Sequence, residues 1–215
     1  MITTIFWDND GVLVDTERLY FQATQEAMAS VGVTLDEAKY VEFFLARSSG
    51  VWHLAAEHGV SESELERLRH KRGVRYTELL RLETEAMAGA EAALERLAPH
   101  TTMGVVTTSH REHFDIIHRQ TGFMRYFDFV LSREDYKHSK PDPEPYLRAL
   151  ELTGSQRENC VVIEDSPRGL IAAKAAGLRC WVIPTALSQL GDFTLADQVF
   201  ADISQVASTL AAQWE

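Results

Sequence analysis

From about residue 88 to the C-terminus, short apolar runs alternate with helical segments, and this alternation leaves few architectures open. The order is AEAALERLA, MGVVT (Met103–Thr107), a helix from about Arg111 to Gln120, FDFVL (Phe127–Leu131), EPYLRALELTG, CVVIE (Cys160–Glu164), PRGLIAAKAAG and RCWVI (Arg179–Ile183). Such an order predicts a parallel sheet with helices on both faces, because parallel neighbours need a crossover between them. One more β-rich run, ITTIFW, opens the chain and breaks at Asp8. A lone strand cannot bury itself, so it must join the same sheet. Between about Thr16 and Met87 no comparable run occurs. Leu19, Ala23 and Ala27 recur there at helical spacing, as do Leu65, Leu68, Leu79 and Leu82. The expected architecture is α/β: a Rossmann-like core of residues 1–15 and 88–215, interrupted by an all-helical cap of residues 16–87. The two connections, near Asp15–Glu17 and near Met87–Gly89, are its natural hinges.

Charge narrows the functional classes. The chain has 215 residues, with 21 Lys and Arg against 32 Asp and Glu, a formal net charge of −11. Nucleic acids and anionic membranes are polyanions, so neither is expected as a partner. No window supplies the roughly 18 apolar residues of a membrane span. The first acid falls at Asp8, with no basic leader or long apolar stretch before it, so a cytoplasmic location is expected. Cys160 and Cys180 sit in apolar runs and read as reduced core residues. Trp214 suits a core position as well as an interface, and a monomer or weak homodimer is expected.

The acids are placed informatively. Ligands of open α/β sheets bind at the carboxyl ends of the strands. The first strand ends in Asp8-Asn9-Asp10-Gly11, another in Thr107-Thr108-Ser109, and a third in Glu164-Asp165-Ser166; the loop after Leu131 carries Lys140. Converging carboxylates repel and need a cation. Oxygen donors without His or Cys point to a hard one, Mg²⁺, which commonly shares its sphere with a substrate phosphate. Residues two apart in extended chain face the same side, so Asp8 and Asp10 can serve one site in two roles, one attacking phosphorus and the other moving protons. Each feature alone is weak: a D-x-D is usually a turn, Lys140 a loop residue, and Asp165 or Ser166 a cap for a helix starting at Pro167. Their conjunction on one sheet edge carries the argument.

WDNDGVLVDTE, VVTTSH, SKPDP and VVIEDSPRGLIAAKAAG together resemble the four motifs of the haloacid dehalogenase-like phosphatases, and within them the β-phosphoglucomutase-like branch with a helical cap. The resemblance implies that Asp8 is a nucleophile forming an aspartyl phosphate. It implies that Asp10 is the general acid/base, with its backbone carbonyl on Mg²⁺. Thr107 would hydrogen-bond the phosphoryl group, with Thr108 and Ser109 beside it. Lys140 would offset charge on Asp8, and Asp165 with Glu164 would complete the metal site. Dehalogenases of the superfamily lack an acid/base Asp at the position of Asp10, so phosphate chemistry is favoured. The phosphonatase reading is weak, since Lys39 and Lys71 of the cap match no motif. True β-phosphoglucomutases carry a histidine where this chain has Tyr20, which favours hydrolysis over mutase activity. Arg47 falls near their cap arginine and is a candidate substrate contact. The expected activity is Mg²⁺-dependent hydrolysis of a small phosphorylated metabolite, most simply a sugar phosphate. The alternatives are a hexose-phosphate mutase and an inactive phosphometabolite-binding module. A binding module would not need Asp10.

Overall fold

The β-branched and aromatic runs pair into one parallel sheet. The computed structural model describes residues 1–46 and 50–214, main chain alone at 45 and 46. Its strands are β1 (Thr4–Trp7), β2 (Thr102–Val106), β3 (Phe129–Leu131), β4 (Cys160–Glu164), β5 (Arg179–Val182) and β6 (Gln198–Val199), in the order β3-β2-β1-β4-β5-β6. Every pairing is parallel; Trp7 stands beside Val105 on one side and Ile163 on the other. The first strand thus lies at the centre of the sheet.

Alternation along each strand divides the core. Ile5, Trp7, Met103, Val105, Val161 and Ile163 pack with α5 (Ala90–Leu97), α6 (Arg111–Thr121) and α9 (Ile203–Ala211). Phe6, Val106, Val162 and Cys180 pack on the other face with α7 (Glu144–Thr153) and α8 (Pro167–Ala175). Both cysteines are free and fully buried. Between β1 and β2 the described elements are helical: α1 (Glu17–Ala29), α2 (Glu37–Tyr40), a π-helical turn (Val41–Ala46), α3 (Trp52–Glu57) and α4 (Glu62–Glu83). These enclose a smaller core of their own around Met28, Leu35, Tyr40, Val51, Leu65 and Leu68. The two connections to the sheet run side by side, with the Asp15 amide on the Glu85 carbonyl and the Met87 amide on the Leu13 carbonyl, both at 2.9 Å.

Several boundaries differ from expectation. The first strand starts at Thr4 because the Ile2 amide is taken by the Gln213 side chain and the Thr3 amide by the Asn159 carbonyl. The third starts at Phe129 because Phe127 closes a 3₁₀ turn onto Met124. Leu82, placed on the buried stripe of α4, is 77% exposed, and Leu80 is buried in its place. Elements β6 and α9 were not anticipated. The two-residue strand carries no pattern, but α9 was readable: Asp202 caps it, and Ile203, Val206, Ala207 and Leu210 form its buried stripe. Trp214 stacks on His100 and packs against the core. No described helix is long and apolar enough to cross a membrane.

Candidate active site

The sheet register sets the site. Because β1, β2 and β4 are parallel neighbours, their carboxyl ends bring Asp8, Thr107 and Glu164 to one edge. Asp8, Glu164 and Asp165 each offer a carboxylate oxygen, and these oxygens lie within 4.8 Å of one another. All three residues are buried.

Lys140 crosses from the loop before α7 into this group. Its ammonium donates to Asp8 Oδ1 at 2.7 Å, to the Val106 carbonyl at 2.8 Å and to Glu164 Oε1 at 2.6 Å. All three ammonium protons therefore have acceptors. Burial works against its charge, but the carboxylates of Asp8 and Glu164 outweigh that and hold the Lys140 pKa above the ordinary value. Glu164 is engaged on both oxygens: Tyr146 donates to Oε1 at 2.5 Å, and Ser166 to Oε2 at 3.3 Å. A side chain at Gly169 would have its Cβ 1.9 Å from the Glu164 carboxyl carbon, so α8 can pack here only with glycine at that position. Gly11, at φ +82°, is needed twice over. Its backbone is left-handed, and a Cβ would stand 2.4 Å from Asp165 Oδ2.

Asp10 is held apart from this cluster by three hydroxyls. Thr16 donates to Oδ1, while Ser109 at 2.8 Å and Thr107 at 3.2 Å donate to Oδ2. Thr107 is itself fixed, accepting from the Ser109 amide at 3.0 Å while its carbonyl accepts from the Tyr136 hydroxyl at 2.7 Å.

One narrow recess is lined by Asp8, Asp10, Thr108, Lys140, Glu164 and Asp165, all expected from sequence, by Ser166 of the same strand end, and also by Glu17 and Arg168, which were not expected. Five carboxylates there face two cations. The imbalance appears in the acids: burial and the neighbouring Glu164 raise Asp8 to about 7 despite Lys140, and burial with Asp8 raises Asp165 well above the usual carboxylate range. An acid set this under-neutralised fits a divalent cation, the hard oxygen-seeking kind. Above the recess opens a cleft of about 810 Å³ between sheet edge and helical segment, reached by Ser109 and Thr108 below and by Tyr20, Arg72 and Phe44 above. Tyr20 packs on Phe44 and Tyr76, both at 5.1 Å, with the Arg72 guanidinium 4.3 Å over its ring. Arg47 lies outside the described residues.

Known proteins resemble this chain over most of its length. The family model for haloacid dehalogenase-like hydrolases matches residues 5–183. The chain is 28% identical over 219 residues to protein CbbY of Rhodobacter capsulatus, covering 96% of each. It is 33% identical over 185 residues to a phosphorylated carbohydrates phosphatase of Thermotoga maritima, covering 81% of each. The crystal structure of CbbY from Rhodobacter sphaeroides, in complex with phosphate, superposes with a TM-score of 0.80 at 24% identity, over 96% of both chains, which shows the shared fold.

Proposed function

The chain belongs to the haloacid dehalogenase-like hydrolases and is a phosphoric monoester hydrolase; on that premise we propose that it hydrolyses a sugar phosphate, with Mg²⁺, through an aspartyl phosphate on Asp8. The observation that carries the reading is the pairing of Asp8, clamped by Lys140, with Asp10, held by three hydroxyls in the same recess. One carboxylate is held beside a fixed cation for attack, and the other is oriented for proton transfer.

In the first step a carboxylate oxygen of Asp8 attacks phosphorus in line, the P–O bond to the sugar breaks, and Asp10 protonates the departing oxygen. In the second, water attacks the same phosphorus while Asp10 takes its proton. The Asp8–phosphoryl bond then breaks, and inorganic phosphate and free Asp8 remain. Phosphoryl transfer depends on positioning and on cationic surroundings for the equatorial oxygens. Lys140 supplies the fixed cation. Thr108 lines the recess beside Asp8 and Lys140, where those oxygens would lie, whereas the Thr107 hydroxyl is engaged by Asp10. Glu164 serves chiefly to position Lys140, since Lys140, Tyr146 and Ser166 engage both its oxygens. Asp8 and Asp165, with the Asp10 backbone carbonyl, would hold Mg²⁺, whose contribution when bound is Lewis-acid neutralisation of phosphoryl charge.

Tyr20 supports hydrolysis over the mutase reading, because an aromatic packed against Tyr76 and Arg72 replaces the histidine of the mutases. The test is phosphate release from p-nitrophenyl phosphate and from a panel of sugar phosphates, with Mg²⁺ and with a chelator. Release abolished by chelation and restored by Mg²⁺ supports the reading. Interconversion of sugar 1- and 6-phosphates outpacing release would favour the mutase.

A further inference from the structure

Two opposite charges face the same recess without meeting. Arg168 stands in the first turn of α8, on the sheet side, and Glu17 in the first turn of α1, on the helical side. Both line the narrow recess above Asp8 and Asp10, and both also line the large cleft. Glu17 is the strongest of the acids acting on the Arg168 charge. Yet among the described residues no carboxylate forms an ion pair with Arg168 and its guanidinium donates no hydrogen bond. Its guanidinium carbon stands 5.5 Å from the centre of the Phe44 ring. Glu17 is anchored on one side only: the buried Tyr40 hydroxyl donates to Oε1, and Oε2 accepts from no described residue.

A group seated between these two must satisfy a carboxylate and a guanidinium together. A hydroxyl does so, donating to Glu17 and accepting from Arg168. A carboxylate or second phosphate would suit Arg168 but meet Glu17 and Asp10 as like charges. An ammonium would meet the reverse mismatch. We propose that Glu17 and Arg168 form the subsite that reads the leaving group beside the scissile phosphoryl, selecting a neutral hydroxylated carbon chain, as in a sugar or polyol phosphate, over a phosphocarboxylate. The subsite rests on the phosphatase reading above and adds its specificity determinants.

The experiment compares kcat and KM, with Mg²⁺, for the wild type, Glu17→Gln, Arg168→Met and Arg168→Lys. The esters are glucitol 6-phosphate, glycerol 3-phosphate, phosphoglycolate and p-nitrophenyl phosphate. The nitrophenyl group carries no hydroxyl, so the ratio of kcat/KM for glucitol 6-phosphate to that for p-nitrophenyl phosphate isolates the subsite. That ratio is expected to fall at least about tenfold in Glu17→Gln and Arg168→Met, the size of a lost hydrogen bond to a charged partner. The loss should lie mainly in KM, and Arg168→Lys should recover part of it. The wild type should prefer glycerol 3-phosphate to phosphoglycolate, and Glu17→Gln should narrow that gap. Ratios unchanged to within about twofold in both variants would overturn the subsite and leave the phosphatase reading standing. So would a wild type that cleaves p-nitrophenyl phosphate but neither hydroxylated ester. A wild type that releases phosphate from none of the four esters would overturn the phosphatase reading, and the subsite with it.

Discussion

Lys140→Met probes the ion cluster most severely. The ammonium lies 2.7 Å from Asp8 Oδ1 and 2.6 Å from Glu164 Oε1, with its side chain 2% exposed. At an effective dielectric near 20 each contact is worth roughly 6 kcal/mol before desolvation. Desolvation takes much of that back, but a carboxylate stranded in the interior still costs about 3–5 kcal/mol when its partner is removed. Asp8 borders the recess and relieves its charge by protonation or by binding a cation. Glu164 is fully buried and would keep only the Tyr146 and Ser166 hydroxyls as partners. The penalty should therefore sit on Glu164, and Glu164→Gln should remove most of it. In chelator-treated protein, urea unfolding should show Lys140→Met less stable by about 3–5 kcal/mol. The double variant Lys140→Met/Glu164→Gln should regain at least about 2 kcal/mol relative to the sum of the single losses. If the single losses add to within about 0.5 kcal/mol, the two residues are not coupled and the account of Glu164 as the positioning acid for Lys140 is wrong.

Three further outcomes follow from particular contacts. His118 is buried with Nε2 2.8 Å from Asn9 Oδ1, and burial lowers its pKa from 6.5 to about 4. The unfolded chain therefore takes up a proton below pH 6.5 that the folded chain refuses; stability is full above that pH and erodes by roughly 3 kcal/mol as pH falls to about 4. His118→Gln should lack this component, so stability curves of the two proteins that run parallel from pH 7 to 4 would contradict the assignment. Gly169→Ala forces a Cβ onto Glu164 and should cost about 1–3 kcal/mol, seen as a lower midpoint in thermal unfolding; an unchanged midpoint would mean that α8 shifts freely. Asp10→Asn should lower kcat about 10²–10⁴-fold on an alkyl phosphate, and less on p-nitrophenyl phosphate, whose leaving group needs little protonation. Equal losses on both would argue against Asp10 as the acid.

The backbone pattern of the sequence was enough to reveal much of this site. Strand–helix alternation makes the sheet parallel, parallel strands share a carboxyl edge, and so Asp8, Thr107 and Glu164 had to converge. Lys140 was harder, because its loop lies 132 positions from Asp8 and nothing local says that it turns inward. Among the groups that orient the site, Thr107 and Ser109 stood on an expected strand end, whereas Tyr146, Thr16 and Tyr136 were not anticipated. Tyr146 left a usable signal: on the buried stripe of EPYLRALELTG, a phenol facing the sheet needs a hydrogen-bond partner, and Glu164 is that partner. Thr16 left none, since its bond to Asp10 depends on how the chain turns after Gly11. Glu17 and Arg168 are close only because the helical segment folds over the sheet edge, and no local pattern encodes that approach.

Whether Asp8 carries the phosphoryl group is tested directly by acid-quenching the enzyme during turnover and weighing the peptide that contains Asp8. A phosphoryl group is expected on that peptide, removable by hydroxylamine and missing from Asp8→Asn, which should also be inactive. An unmodified peptide under steady turnover, or an Asp8→Asn protein working at the wild-type rate, would contradict that role for Asp8.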